Sequence, residues 1–184
     1  MRRRIGSYIV IDFEATCSET GEFLKEEMEV IEFGCVAVDY SGSVLSEFES
    51  FVKPVRNPVL TDFCEELTTI TQAQVDAAPK FPEVLVRFKE WLSQFENPVF
   101  CSWGYYDRNQ LAKDCDFHGV KYPFPTDEHI NVKLKFSKIQ DCRPKGLKAA
   151  VERVGLAFEG SYHRGIDDAR NVARLLSYVG LVKK

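Results

Sequence analysis

The chain has 184 residues, of which 45% are hydrophobic and 28% are charged, as expected for a globular domain with a substantial core. Its net charge of −4 excludes a strongly basic nucleic-acid-binding protein, and no apolar run approaches the roughly 18 residues that a membrane helix needs. The basic start, from Met1 to Tyr8, has no apolar signal-peptide core. We therefore expect a cytoplasmic protein (or a nuclear one, if the host has a nucleus) that forms a single domain over residues 1–184.

Charge is distributed unevenly along the chain. Residues 1–92 contain 9 Lys/Arg against 17 Asp/Glu, whereas residues 93–184 contain 15 against 11. From Lys133 to the end, 12 basic residues stand against 5 acidic ones. An acidic half that can hold divalent cations is therefore joined to a basic end that can hold phosphates. Ordinary solvated helix faces explain the basic end, taken alone, about as well.

The first elements in chain order predict a three-stranded antiparallel meander. A continuous apolar run indicates a buried strand over 7–13, and a segment rich in Val and Ile predicts a second strand over 29–40. The pair Ser41-Gly42 is typical of a tight turn, so the chain returns as a third strand over 43–52.

The rest of the chain alternates helices with two short strands. Helices are predicted over 62–67, 72–77, 81–95, 105–118, 133–138, 145–154 and 166–179, and strands over 98–101 and 129–132. Both strands should run parallel to the first strand through right-handed crossovers. The expected fold class is α/β, with a mixed five-stranded sheet flanked by helices.

The first strand ends in two acidic residues, Asp12 and Glu14. Positions i and i+2 of a strand face the same side, so both carboxylates should project together. Close carboxylates repel each other, and a bound cation removes that cost. An accidental acidic surface pair is the alternative interpretation.

A third acid, Asp107, follows the short strand over 98–101 and lies in the first turn of the next helix. Ligand sites in parallel α/β sheets gather at this position, although the helix dipole also favours an acid there. Trp103, Tyr105 and Tyr106 crowd the same turn. Aromatic rings can stack on a base or pack in the core, and we expect Trp103 to contact substrate.

His163 and Asp168 flank the start of the last helix. Asp168 and its neighbour Asp167 are both candidate metal ligands by spacing alone, while His163 can accept a proton from water near neutral pH. His118 and His129 are interpreted as surface residues. Carboxylates are hard oxygen ligands that suit Mg²⁺ or Mn²⁺, so the combined set suggests two-metal phosphodiester hydrolysis.

This combination resembles a known family. An Asp-x-Glu on the first strand, an Asp after the fourth strand and His-x-x-x-x-Asp near the end resemble the DEDDh-type, DnaQ-like 3′–5′ exonucleases over nearly the full length. The segments Gly155 to Asn171 and Glu66 to Thr71 are similar to the branch that contains the histone-mRNA and small-interfering-RNA 3′-end exonucleases and their bacterial KapD-like relatives.

The resemblance implies a ribonuclease H-like fold, two Mg²⁺ or Mn²⁺ ions and a role for each motif residue. It selects Asp168 over Asp167 as a ligand. Asp12 would bridge both ions, Glu14 and Asp168 would complete one site, and Asp107 would hold the second ion. His163 would be the general base, and the product would be a nucleoside 5′-monophosphate.

The resemblance also implies contacts with the terminal nucleotide. Leu67 and Thr68 match a loop that lies against this nucleotide in relatives, and Phe13 and Ala15 stand beside the first ligands. Many DEDDh enzymes carry an Asn four residues before the Asp of the second motif, where this chain has Trp103. This departure argues against a DNA-polymerase proofreading subunit.

We therefore expect a metal-dependent 3′–5′ exonuclease that acts on single-stranded 3′ ends, preferably of RNA. Two alternatives remain open. One is a catalytically silent module of the same fold that binds nucleic acid or protein, and the other is a metal-dependent phosphatase that acts on small nucleotides.

Overall fold

Five strands form one mixed sheet in the order β3-β2-β1-β4-β5. This computed structural model describes residues 6–126, 128–143 and 145–183. The strands are β1 (Gly6–Ala15), β2 (Val30–Asp39), β3 (Val44–Phe51), β4 (Glu96–Ser102) and β5 (His129–Asn131). β1, β2 and β3 form the antiparallel meander, and β4 and β5 run parallel to β1, which confirms the predicted sheet.

The helices fall close to their predicted positions. They are α1 (Asp62–Thr68), α2 (Gln72–Asp76), α3 (Phe81–Leu92), α4 (Tyr106–Phe117), α5 (Val132–Ile139), α6 (Leu147–Arg153) and α7 (Gly165–Leu175). α3 ends earlier than predicted because the chain becomes extended for β4 at Glu96. The predicted last helix divides into α7 and a 3₁₀ turn, Leu176–Val179, which ends at Gly180 with φ 68°. Within the described ranges, no helix has the length and apolar character needed to cross a membrane.

Alternating residues of β1 pack into two separate hydrophobic layers. Ile9 and Ile11 belong to the layer that contains Phe88 of α3, whereas Val10 belongs to the layer that contains Val172 of α7. Even-numbered residues of β1 therefore face α7. Asp12 shares this face with Val10, as does Glu14, and this orientation directs both carboxylates to the side where α7 begins.

The first turn of α7 lies directly against the sheet. A Cβ atom at Gly34 of β2 would lie 2.0 Å from the carbonyl carbon of Gly165, and one at Gly165 would lie 2.8 Å from the carbonyl oxygen of Asp12. Since real Cβ atoms do not approach other atoms so closely, both positions require glycine. This contact holds the start of α7 beside Asp12.

His118 and His129, interpreted from the sequence as surface residues, are both only partly exposed in the structure. The ring of His118 stacks on Phe81, with centroids 5.1 Å apart. His129 lies half-buried in β5, where its Nε2 is 2.8 Å from the Ser102 hydroxyl, and burial lowers its pKa to about 4. Both rings lie at the edge of the aromatic core, His118 against Phe81 and His129 against Phe100.

Candidate active site

Asp12 and Glu14 lie on the wall of one cleft at the carboxyl end of β1. Glu14 is buried, with 9% of its surface exposed. The residue between them, Phe13, packs on the opposite side of the strand against Phe33, with ring centroids 4.7 Å apart. The two-residue strand period therefore brings both carboxylates together, as the sequence predicts.

Asp107 joins this pair through a hydrogen bond to the backbone of β1. It lies in the first turn of α4 and is 4% exposed. Its Oδ1 accepts the Phe13 N–H at 2.9 Å. Because Phe13 lies between Asp12 and Glu14, this bond holds the third carboxylate at the same end of the strand.

α7 and the loop before it supply the remaining two predicted residues. Asp168 is buried in the first turn of α7, and its Oδ2 accepts the His163 N–H at 3.3 Å. Ligand atoms of Glu14, His163 and Asp168 all lie within 4.8 Å of one another. His163 has φ 64°, a left-handed conformation that is costly for a residue with a side chain.

Asp167 has a different environment from Asp168. Its Oδ2 accepts the Ser161 N–H at 2.8 Å, and its Oδ1 accepts from Arg170 at 3.0 Å. These bonds stabilise the loop before α7. The geometry therefore favours Asp168 over Asp167 as the residue of the acidic cluster.

Burial raises the pKa values of all four carboxyl groups, and repulsion within the cluster adds to this effect at Asp12, Glu14 and Asp168. Burial, followed by repulsion from Asp107 and Asp168, raises the pKa of Asp12 well above its ordinary value. Burial, followed by repulsion from Asp168, raises the pKa of Glu14 to about 9. Burial raises the pKa values of Asp107 and Asp168 to about 7. Four ionised carboxylates in this space would therefore need a cation.

One buried atom of the cluster has no partner within the described part of the chain. Asp168 Oδ1 is buried and accepts no hydrogen bond there. An unpaired buried oxygen is costly, and here it lies among three other carboxyl groups. Hard oxygen donors with an unsatisfied lone pair fit a divalent cation such as Mg²⁺ or Mn²⁺.

The cleft has a volume of about 260 Å³ and combines the acidic cluster with aromatic walls. Its lining includes Phe13, Trp103 and His163, three of the predicted substrate contacts. Tyr106, Gly146, Leu147 and Tyr162 also line it. Tyr162 was not predicted, although its place next to His163 in the sequence was an available signal. In the structure the two ring centroids lie 4.0 Å apart. Gly146 and Leu147 had no comparable signal.

The other predicted substrate contacts are not among the described residues that line the cleft. Ala15 and Thr68 are buried, and Leu67 is partly exposed on α1. The Thr68 hydroxyl donates to the carbonyl of Cys64 at 2.7 Å and accepts the Ile70 N–H. These bonds stabilise the end of α1. The proposed substrate contacts of Ala15, Leu67 and Thr68 stay predictions.

Glu32 supports the site and was not identified from the sequence. Its side chain is fully buried on β2, opposite Glu14. Arg164 donates to both Glu32 carboxylate oxygens, at 3.2 and 3.1 Å, and the Gly165 N–H donates to Oε2 at 3.0 Å. These bonds secure the segment that carries His163. An acid inside the apolar run Val30-Ile31-Glu32-Phe33 was the available signal.

Comparison with known proteins agrees with this geometry. A family model described as an exonuclease, RNase_T, matches residues 9–176. ERI1 exoribonuclease 2 of Danio rerio is 35% identical, over 95% of this chain and 35% of its own length. The 3′-5′ exonuclease Snipper of Drosophila melanogaster is 34% identical, over 92% of this chain and 68% of its own length. The chain thus spans about a third of the first relative and two thirds of the second.

A solved structure shares the same fold. The nuclease domain of 3′hExo, a DEDDh family member bound to rAMP, superposes with a TM-score of 0.85 and 30% identity, covering 98% of this chain and 92% of that one. The fold is therefore that of the ribonuclease H-like exonucleases, as predicted. The chain belongs to the RNase_T exonuclease family. The DEDDh members of this family use divalent metal ions, which suits the acidic cluster.

Proposed function

We propose that this chain is a metal-dependent 3′–5′ exonuclease domain that removes nucleoside 5′-monophosphates from single-stranded 3′ ends, preferably of RNA. The observation that supports this most directly is the convergence of Asp12, Glu14, Asp107, His163 and Asp168 on one cleft. RNA is favoured because several relatives are named as exoribonucleases. Such a substrate is consistent with activity in the cytoplasm or nucleus.

In this proposal the carboxylates hold two Mg²⁺ or Mn²⁺ ions. Asp12 would be shared, Glu14 and Asp168 would complete one site, and Asp107 would hold the second ion. When bound, the ions lower the pKa of the attacking water and stabilise charge on the phosphate and the leaving oxygen. The raised pKa values of the carboxyl groups in the metal-free protein support this assignment.

His163 is the proposed general base. Partial burial lowers its pKa below the ordinary value of 6.5, so the ring is neutral at neutral pH and has a lone pair to accept a proton from water. Its position beside Glu14 and Asp168 brings the ring close to the proposed water. The unusual backbone conformation at His163 is consistent with a residue placed for function rather than for local stability.

The aromatic residues of the cleft are the proposed contacts for the terminal nucleotide. Trp103 is held from two sides, since its indole N–H donates to the Lys145 carbonyl at 3.1 Å and its ring packs edge-to-face on Phe136. A fixed ring is a good stacking surface for a base. Tyr162, which lines the cleft, would contact the same nucleotide, as would the backbone of Phe13, whose ring is buried on the other side of β1. The resemblance implies further contacts by Ala15, Leu67 and Thr68.

The test is release of nucleoside 5′-monophosphates from a single-stranded RNA labelled at its 3′ end, with Mg²⁺ or Mn²⁺. Asp12→Ala should abolish release, because it removes the shared ligand. Asp116→Ala, at an exposed acid near the end of α4, is the matched control and should retain activity. RNA binding without release in either metal would instead support the silent binding module, and hydrolysis of mononucleotide esters alone would support a phosphatase.

A further inference from the structure

Four lysines on or next to α5 and α6 form what we term the basic rim: Lys133 and Lys135 on α5, Lys145 just before α6, and Lys148 on α6. Lys135, Lys145 and Lys148 are exposed, and Lys133 is partly exposed. Residues 132–153 contain seven Lys/Arg and only two Asp/Glu. This is the most basic stretch of the chain, and none of its lysines is used in the proposed chemistry.

The fold places both parts of the rim near the acidic cluster. β4 pairs in parallel with β1, and β5 pairs in parallel with β4. α5 directly follows β5, so it starts at the same sheet edge where Asp12 and Glu14 lie. Lys145, just before α6, and Lys148, in the first turn of α6, flank Gly146 and Leu147, which line the cleft. The indole of Trp103 joins the two parts, because it packs on Phe136 of α5 and donates to the Lys145 carbonyl.

The rim differs in its pairing from three arginines at the start of α7 and along it. Arg164, Arg170 and Arg174 each lie within 4.0 Å of a carboxylate, on Glu32, Glu47 and Glu159 respectively. Within the described residues, no ion pair at this distance includes a lysine of the rim. These three arginines are therefore neutralised within the protein, whereas the rim keeps its positive charge for an external anion.

We propose that the basic rim binds backbone phosphates of the nucleotides that precede the terminal one, so that substrate affinity rises with the length of the single strand. This rests on the proposed function, because it assumes that the 3′ end occupies the cleft. Lysine ammonium groups recognise phosphates as point charges, without sequence preference. A positive surface combined with aromatic stacking positions is the usual arrangement for binding a single strand.

The experiment compares Lys145→Glu/Lys148→Glu with the wild type in EDTA, where hydrolysis is blocked. Fluorescence anisotropy measures binding of 5′-labelled single-stranded RNAs of about 4 and about 12 nucleotides over a range of salt concentrations. Loss of two phosphate contacts should weaken binding of the longer RNA by roughly tenfold and reduce the slope of log K against log salt by about 1.4. The loss should be smaller for the shorter RNA.

Two further variants make the result interpretable. Arg87→Glu/Lys183→Glu changes the net charge equally, but Arg87 is exposed on α3 on the other face of the sheet, and Lys183 lies beside Gly42 at the far end of the sheet. Lys145→Arg/Lys148→Arg keeps the charge and should retain binding. Equal weakening in both Glu variants, or wild-type affinity for the longer RNA in Lys145→Glu/Lys148→Glu, would overturn the proposal.

Failure of the proposed function gives a different pattern. If the wild type binds the longer RNA through the rim but releases no nucleotide with Mg²⁺ or Mn²⁺, the exonuclease proposal fails and the rim proposal stands. If the wild type releases nucleotides and the lysine substitutions change neither binding nor KM at any length, the exonuclease proposal stands and the rim proposal fails.

Discussion

The Phe13 N–H donates to Asp107 Oδ1 over 2.9 Å, and this bond joins strand β1 to helix α4 in the middle of the acidic cluster. Asp107 thus has a structural contact as well as its proposed role as a metal ligand. The bond also lowers the pKa of Asp107 and opposes the larger effect of burial, which leaves that pKa at about 7. Substitutions at this position can separate the two roles.

Asp107→Asn should remove activity without unfolding the site, because an amide oxygen can still accept from Phe13 but is a poorer ligand for a hard cation. Asp107→Ala should remove activity and also destabilise the protein by about 1–3 kcal/mol, since it leaves the Phe13 N–H unpaired. Thermal unfolding in EDTA and nucleotide release would be measured for both variants. Equal melting temperatures for the Ala and Asn variants would show that the hydrogen bond has no structural role.

The metal-free protein should become less stable as pH rises. The folded-state pKa values of Glu14, Asp107 and Asp168, about 9, 7 and 7, exceed the ordinary values of 4.5, 3.8 and 3.8. The folded state therefore binds more protons, and its stability falls as pH increases from the ordinary values through the raised ones. We expect the melting temperature in EDTA to fall between pH 5 and pH 8.

Divalent cations should reverse this trend. Mn²⁺ binds the ionised carboxylates of the folded state, so the melting temperature should rise most at the higher pH values. Asp12→Asn should reduce both the decline in EDTA and the stabilisation by Mn²⁺, and Asp116→Asn is the control for a general charge effect. A melting temperature that is independent of Mn²⁺ at pH 8 would contradict a metal site in this cleft.

The rate of nucleotide release should depend on the protonation of His163. Burial lowers the pKa of His163 below 6.5, so the rate at saturating metal should rise with pH through a midpoint below that value. His163→Ala should lower kcat by roughly 10²–10⁴ and leave Mn²⁺ affinity largely intact, whereas His118→Ala should keep the pH profile. A flat profile between pH 5 and pH 8, with chemistry rate-limiting, would argue for another base.

The sequence indicates the metal-ligand candidates well because their geometry follows from short-range rules. The strand period places Asp12 and Glu14 on one face, and parallel strand order places Asp107 at the same sheet edge. Spacing alone left Asp167 and Asp168 as alternatives. Their different hydrogen bonds, to Ser161 and to His163 respectively, appear only when the loop is folded.

The supporting residues were harder to predict because their contacts join segments that are far apart in sequence. Glu32 and Arg164 are separated by 132 positions, and neither matches a motif on its own. Trp103 illustrates the same problem, since its bond to the Lys145 carbonyl depends on how α6 packs. Periodicity and motif spacing describe single elements, whereas these residues act between elements.

The ion pair between Arg164 and Glu32 should be important for both stability and catalysis. Arg164→Met leaves the fully buried Glu32 without its cation, and removal of one partner from a buried pair costs up to about 3–5 kcal/mol. We also expect a lower kcat, because the pair secures the segment that carries His163. Arg164→Lys, which keeps the charge but loses one hydrogen bond, should be intermediate.

The matched control is Arg170→Met. Arg170 also contacts two carboxylates, on Glu47 and Asp167, but its side chain is 45% exposed, against 21% for Arg164. An exposed pair contributes about 1 kcal/mol or less, so Arg170→Met should change the free energy of unfolding far less. Urea unfolding in EDTA and single-turnover nucleotide release would measure the two effects separately. Equal losses of stability in Arg164→Met and Arg170→Met would show that the buried ion pair of Glu32 contributes no more to the free energy of unfolding than the exposed pairs of Arg170.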